Sequence, residues 1–315
     1  MKLDALLFEY RKHQILQPTT ILHYGKVVES FTKFIGRNPE LAELTVDMML
    51  DYRLDILSRC TAITFNNYRR HLCVLFNFAV KRGTMVKNPF ADVKSAPTPQ
   101  RKPKTIQIAL LQEIIDFLSK SGDKYDETES VQIGITPRWF WLIAVKTLYY
   151  SAIRRKQLVE LRLKDIDFEK KVIRLRTEGS KTLREWDIPL PEPLSDDLRY
   201  LYDRVIETIG RYNGEQQLFC YPMLSKHRFS KSREMTVGHV SQMFRKLTKL
   251  FELPISAHRI RHTTATEMAR NTENIRLIQE ILGHTDLRTT FIYVQPDFGS
   301  MRHLMGGMTK LVNAL

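Results

Sequence analysis

Residues 165–190 read DIDFEKKVIRLRTEGSKTLREWDIPL, and here the hydrophobic spacing drops to the period of two that marks a half-buried strand. Three short strands are expected, over Ile166–Phe168, Val172–Arg176 and Trp186–Leu190. Glu169-Lys170 and Glu178-Gly179-Ser180 supply the turns between them. Elsewhere apolar residues recur at helical spacing, so the fold expected is mainly α with one small antiparallel β-sheet.

Toward the N-terminus, Ile106–Leu118 and the largely apolar Pro137–Tyr149 read as helices, the second one buried, and a short helix follows over Lys156–Leu163. Before them lies SAPTPQRKPKT, residues 95–105, whose three prolines and three cations make an extended, positively charged tether. Such a tether would let two domains close around a duplex. Residues 1–94 read as all-helical. Leu3, Leu6, Leu7 and Tyr10 mark the first helix, Thr19–Ile35 the second (Pro18 before it, Gly36 closing it), Thr45–Leu57 the third and Ala62–Val80 the fourth. Toward the C-terminus, helices resume near Leu194, Val237, Ser256 and Asn274. The expected organisation is a helical domain over 1–94, a linker over 95–105, a second domain over 106–293 and a tail over 294–315.

The chain has 315 residues, 43% of them hydrophobic and 10% aromatic, enough for two folded cores. Forty-nine Lys and Arg against 35 Asp and Glu leave a net charge of +14, the balance expected of a nucleic-acid binder, although a protein can be basic for other reasons. Cys60, Cys73 and Cys220 lack CxxC spacing and read as reduced core thiols. The N-terminus MKLDALLFEYRKHQ interrupts its apolar stretch with charges, so no signal peptide is expected. No apolar run approaches 18 residues, which argues against a membrane span. A cytoplasmic protein acting at the nucleoid is the expectation. On the fourth helix, Asn66, Asn67, Arg69, Arg70 and Lys81, with Arg82 just beyond, offer amide and basic groups suited to phosphates and base edges. A merely solvated outer face would look the same.

Five scattered positions carry the candidate chemistry. Arg154 follows Ser151-Ala152-Ile153 on a turn leading into a helix, where a guanidinium can fork onto a phosphate. Lys181 sits on the hairpin turn; a lysine there is ordinarily solvated, unless the tip reaches a DNA groove and the ammonium protonates a leaving oxygen. In His258-Arg259-Ile260-Arg261-His262, Ser256 is a candidate N-cap, and the i, i+3 spacing places His258 and Arg261 on one helical face. His258 and His262 are also spaced like zinc ligands, but no Glu completes HExxH and Arg261 would set a cation beside the metal. His284 follows Gly283, a suitable helix terminator, and Thr285 is placed to cap the next helix. Tyr293 comes nine residues later. A phenol with a pKa near 10 is a poor nucleophile unless cations or a base stabilise the phenolate. Each residue alone has a bland reading as a core or surface group; converging on one phosphate, they would stabilise a charged transition state without a metal.

In that order, His258-x-x-Arg261-His262, Leu282-Gly283-His284 and Tyr293, preceded by TFNNYRRHLCVLFNFAVKRGTMVKNP (residues 64–89) and the proline-basic linker, resemble the tyrosine recombinase (phage integrase) family over nearly the whole chain. The resemblance implies a helical, SAM-like core-binding domain joined to an α+β catalytic domain. It implies that Arg154 and Arg261 grip the scissile phosphate, that Lys181 is general acid to the 5′-hydroxyl, and that His258 assists proton transfer from the tyrosine. His284 would hydrogen-bond a nonbridging oxygen, His262 would support, and Tyr293 would form a 3′-phosphotyrosyl link. Neither metal, cofactor nor ATP is implied. The implied partners are double-stranded DNA with inverted-repeat core sites and three further protomers, in a homotetramer or with a partner recombinase.

The family's T-G-L-R-x-x-E box departs here at Ala152 and Gln157. Alanine costs little if that turn does not demand a positive φ, and Gln157 removes a carboxylate that would orient the arginine, so reduced or retuned activity, not loss, is expected. The chain opens at the core-binding helices, suggesting the two-domain type without an arm-binding domain. After Tyr293, Met301, Leu304, Met305, Met308, Leu311, Val312 and Leu315 line one helical face suited to docking on a neighbouring protomer, or on its own domain. A type IB topoisomerase and a non-catalytic DNA-binding regulator are the competing functions.

Overall fold

The computed structural model describes residues 1–99, 103–120, 134–177, 184–225, 234–271 and 274–294, with Arg302 and Met305. The chain divides into two compact units, Met1–Arg101 and Lys102–Leu315.

The first unit holds four α-helices: α1 (Leu3–His13), α2 (Pro18–Ile35), α3 (Val46–Arg59) and α4 (Ala62–Lys81). Their starts and stops follow from local chemistry. Pro18 is the first residue of α2, where its missing N–H costs nothing, so it lies inside the helix whose start was expected at Thr19. Gly36, at φ 81°, closes that helix. The hydroxyls of Thr45 and Thr61 accept the N–H groups of Met48 and Thr64, capping α3 and α4. Leu3 and Leu6 of α1, Phe31 of α2, Met49, Tyr52 and Ile56 of α3 and Phe65, Leu72, Leu75 and Phe76 of α4 close one core. The opposite side of α4 is divided in its employment. Asn66 exchanges two 2.8 Å hydrogen bonds with the backbone of Ala96, and Arg69 Nε donates to Val93 O. Asn67, Arg70, Lys81 and Arg82 are exposed.

The second unit is helical around one small sheet. In chain order come α5 (Ile108–Ser119), α6 (Arg138–Ser151), α7 (Arg155–Glu160), β1 (Ile166–Asp167), β2 (Val172–Leu175), β3 (Trp186–Pro189), α8 (Glu192–Ile209), α9 (Tyr221–Leu224), α10 (Val237–Phe251), α11 (Ala257–Asn271), α12 (Ile275–Leu282) and α13 (Leu287–Phe291). The strands pair antiparallel in the order β1-β2-β3, with Ile173 opposite Ile188 and Leu175 opposite Trp186. Ile173, Leu175 and Ile188 face the core while Arg174 and Asp187 face out, as the period of two requires. Helix α6 packs against α5, α8 and α11, which explains its apolar composition. The helix expected to run to Leu163 stops at Glu160. Leu161 turns extended so that its carbonyl accepts Leu218 N–H at 2.9 Å, and a one-turn 3-10 helix follows at Leu163–Asp165. Cys220 is buried and Cys60 and Cys73 are partly so, all three as free thiols. No helix among the described residues is long and apolar enough to cross a membrane. The hairpin tip with Lys181, and the tail apart from Arg302 and Met305, lie outside the described residues.

Candidate active site

Helix α6 ends at Ala152, which adopts a left-handed conformation (φ 51°, ψ 22°). The turn therefore does demand a positive φ, so the condition under which alanine would cost little is not met: a Cβ in this region costs roughly 1–2 kcal/mol. The methyl group is fully buried beside Ala265, Ile278, Leu282 and Tyr293, so packing offsets part of that cost. The reversal brings Arg154 to the start of α7, where its backbone N–H donates to Gln157 Oε1 at 2.7 Å. Gln157 thus holds the arginine's main chain with the oxygen that a glutamate would also offer. Its Nε2 is buried with no partner among the described residues.

Arg261 projects from α11 into the floor of the site and is only 3% exposed. Its guanidinium donates to Ala152 O and, at 2.7 Å, to Leu282 O, tying the α6 turn to the end of α12. One nitrogen also lies 3.2 Å from His284 Nε2. Burial, then the neighbouring Arg154, pulls the Arg261 pKa down to about 9, while Tyr293 pushes it the other way. Arg154, half-buried, is likewise lowered by burial and raised by Tyr293.

The end of α12 positions His284. Gly283 takes φ 59° and its N–H closes the helix. A Cβ there would fall on the Trp186 indole of β3, so strand and turn meet where only glycine fits. The next helix is capped by Asp286, whose carboxylate accepts Arg288 N–H at 3.0 Å, and not by Thr285 as expected. His284 Nδ1 lies 2.9 Å from Thr290 Oγ1, and its carbonyl accepts from Gln279 at 3.0 Å. Burial, followed by the charges of Arg261 and Arg154, drops the His284 pKa to about 4, leaving it neutral at pH 7.

Tyr293 is 3% exposed, with its ring 6.2 Å from that of His284 in a stacked pair and 5.3 Å from that of His262. Burial raises its pKa, and the charges of Arg261 and Arg154 oppose this. The resting tyrosine is therefore a protonated phenol held under two guanidiniums. His262 Nε2 lies 2.8 Å from Nε2 of the exposed His258. Burial and then His258 lower the His262 pKa to about 4. Of the two histidines four residues apart, the ring packed on Tyr293 is that of His262, with His258 joined through it, although sequence spacing pairs His258 with Arg261.

Arg154, Arg261, His262, His284 and Tyr293 are thereby gathered into one buried cluster from separate segments of the chain. The sequence pattern of the phage integrase family fits residues 124–299, and that of the phage integrase SAM-like domain fits residues 5–96. The chain belongs to the phage integrase family. A relative in Pseudomonas syringae, a putative tyrosine recombinase XerC, is 32% identical over 312 residues, covering 97% of this integrase-family chain. The chain spans 64% of that protein's length. A putative tyrosine recombinase XerC of Pseudomonas aeruginosa is 29% identical across 99% of the chain and 73% of its own length. The fold is also that of the Tn1549 transposon integrase in complex with circular intermediate DNA, at a TM-score of 0.67 and 19% identity, covering 97% of this chain and 99% of that one. A lambda integrase tetramer bound to a Holliday junction gives 0.68 at 18% identity, covering 94% and 78%.

Three participants carry no motif in the sequence: the Ala152 carbonyl, Thr290 and Trp186. Nothing in the sequence marked the last, since Gly283 reads there only as a helix terminator.

Proposed function

We propose that this chain is a site-specific DNA recombinase that cleaves and rejoins strands through a 3′-phosphotyrosyl intermediate, with a core-binding domain over 1–94 and a catalytic domain over 106–293. The observation that carries the reading is Tyr293 buried against the His262 and His284 rings, within reach of the charges of Arg261 and Arg154. A phosphate entering this cup would take the forked donors of both arginines, and its charge would offset their mutual repulsion. The Tyr293 oxygen attacks phosphorus, the phosphorus–O5′ bond breaks, and Lys181 gives the departing oxygen its proton. The tyrosine proton leaves through the His262–His258 pair. The bond energy is retained in the phosphotyrosyl link, so the 5′-hydroxyl reverses the step without ATP. In such a transfer, fixed cations aimed at the developing charge lower the barrier more than any other single effect.

Asn67, Arg70, Lys81 and Arg82 are the α4 groups left exposed for DNA; Asn66 and Arg69 support them by fixing Val93 and Ala96. The partner is duplex DNA with inverted-repeat core sites, bound by four protomers across two sites at the nucleoid. A nicked suicide duplex carrying the cognate core site tests the chemistry. The parent protein should form a covalent adduct that survives denaturation and Tyr293→Phe should form none; an adduct that persists in the variant would sink the assignment.

A further inference from the structure

We propose that Thr290 is a positioning residue for strand cleavage, holding the His284 ring and the Tyr293 backbone in one fixed relation. The inference rests on the recombinase reading above. Thr290 is fully buried and makes two connections at once. Its Oγ1 lies 2.9 Å from His284 Nδ1, and its carbonyl accepts Tyr293 N–H at 3.0 Å. One residue on α13 therefore bridges the imidazole that would touch the phosphate and the segment that carries the nucleophile.

The proton arrangement follows from the donor inventory. A guanidinium has donors only, so the contact between Arg261 and His284 Nε2 requires a lone pair on Nε2. The neutral imidazole then keeps its proton on Nδ1, and the Thr290 hydroxyl accepts it. When a phosphate oxygen replaces the imidazole as the acceptor for Arg261, His284 must present an N–H at Nε2 to reach a nonbridging oxygen. The ring gains a proton from water on Nε2 and loses one to water from Nδ1, so its charge is unchanged. Nδ1 is now an acceptor, and the Thr290 hydroxyl satisfies it by rotating to donate. A hydroxyl is both donor and acceptor, so it holds the ring in both tautomers. Valine has the same shape and does neither.

The test uses the full chain on the nicked suicide duplex, following single-turnover adduct formation together with DNA affinity. Thr290→Val should slow cleavage on the order of 10–100-fold, the cost of slight misplacement at a reacting centre, with DNA affinity almost unchanged. Thr290→Ser should restore it to within a few-fold of the parent. Parent-like cleavage by Thr290→Val would overturn the proposal, as would a Ser variant as slow as Val, which would assign the effect to methyl packing. Nitrogen-15 spectra of His284 in the DNA-free parent supply a measurement that needs no variant: Nδ1–H is expected, and Nε2–H would overturn the contact as described. A parent protein that forms no adduct at all would refute the recombinase reading, leaving the nitrogen spectrum to decide the Thr290 contact alone.

Discussion

Truncating Arg261 to alanine separates its catalytic role from its structural one. The guanidinium is buried and supplies donors to Ala152 O, Leu282 O and the His284 ring. Leaving three buried acceptors unsatisfied costs roughly 1–3 kcal/mol each. Against this, burial has pulled the arginine well below the ordinary guanidinium range, to about 9. Removing the charge therefore returns on the order of 5 kcal/mol of desolvation, at about 1.4 kcal/mol per pH unit. The two effects largely cancel, and the net change in stability should lie between about 2 kcal/mol of gain and about 4 kcal/mol of loss. At roughly 2–4 °C per kcal/mol for a unit of this size, the melting temperature should fall by no more than about 16 °C. Catalysis has no such compensation. Loss of one oxyanion donor costs about 10²–10³ in rate, and a two-pronged donor should cost at least about 10⁴. Arg261→Lys keeps the charge without the fork and should fall between. The assays are single-turnover adduct formation at saturating protein and thermal melting, with DNA affinity expected to hold because many other cations contact the backbone. A melting point lowered by more than about 20 °C, or cleavage within tenfold of the parent, would contradict this division of roles.

Gly283→Ala should destabilise the second unit by roughly 2–5 kcal/mol, from a left-handed φ and an indole that must move, and a melting shift below about 2 °C would refute the contact with Trp186. Stability should also depend on pH through His284 and His262, both depressed from 6.5 to about 4. Between those values the unfolded chain binds protons that the folded chain refuses, so stability is full above about pH 6.5, falls as the pH drops toward 4 and levels off below. Urea unfolding of His284→Gln across this window should show a shallower slope than the parent; an identical slope would mean that His284 does not titrate as described.

The order of elements was legible because it rests on local signals. Period-two spacing over 165–190 marked the sheet, and Gly36, Thr45, Ser256 and Gly283 marked helix ends with their own backbone or side-chain chemistry. Misplaced boundaries have tertiary causes, as at Glu160, where Leu161 leaves the helix to bond Leu218. The motifs likewise named Arg154, Arg261, His284 and Tyr293, because the chemistry of a phosphate cup restricts residue type.

The sequence by itself determined which side chains are candidates to meet a phosphate, since charge, donor geometry and nucleophilicity belong to the residue. Only the tertiary structure decided how they are held. The strain at Ala152, the imidazole that lies on Tyr293, and the hydroxyl of Thr290 behind His284 arise from contacts between separate elements of one unit. No spacing along the chain encodes them, because burial and hydrogen-bond partners are properties of the packed arrangement and not of any one segment.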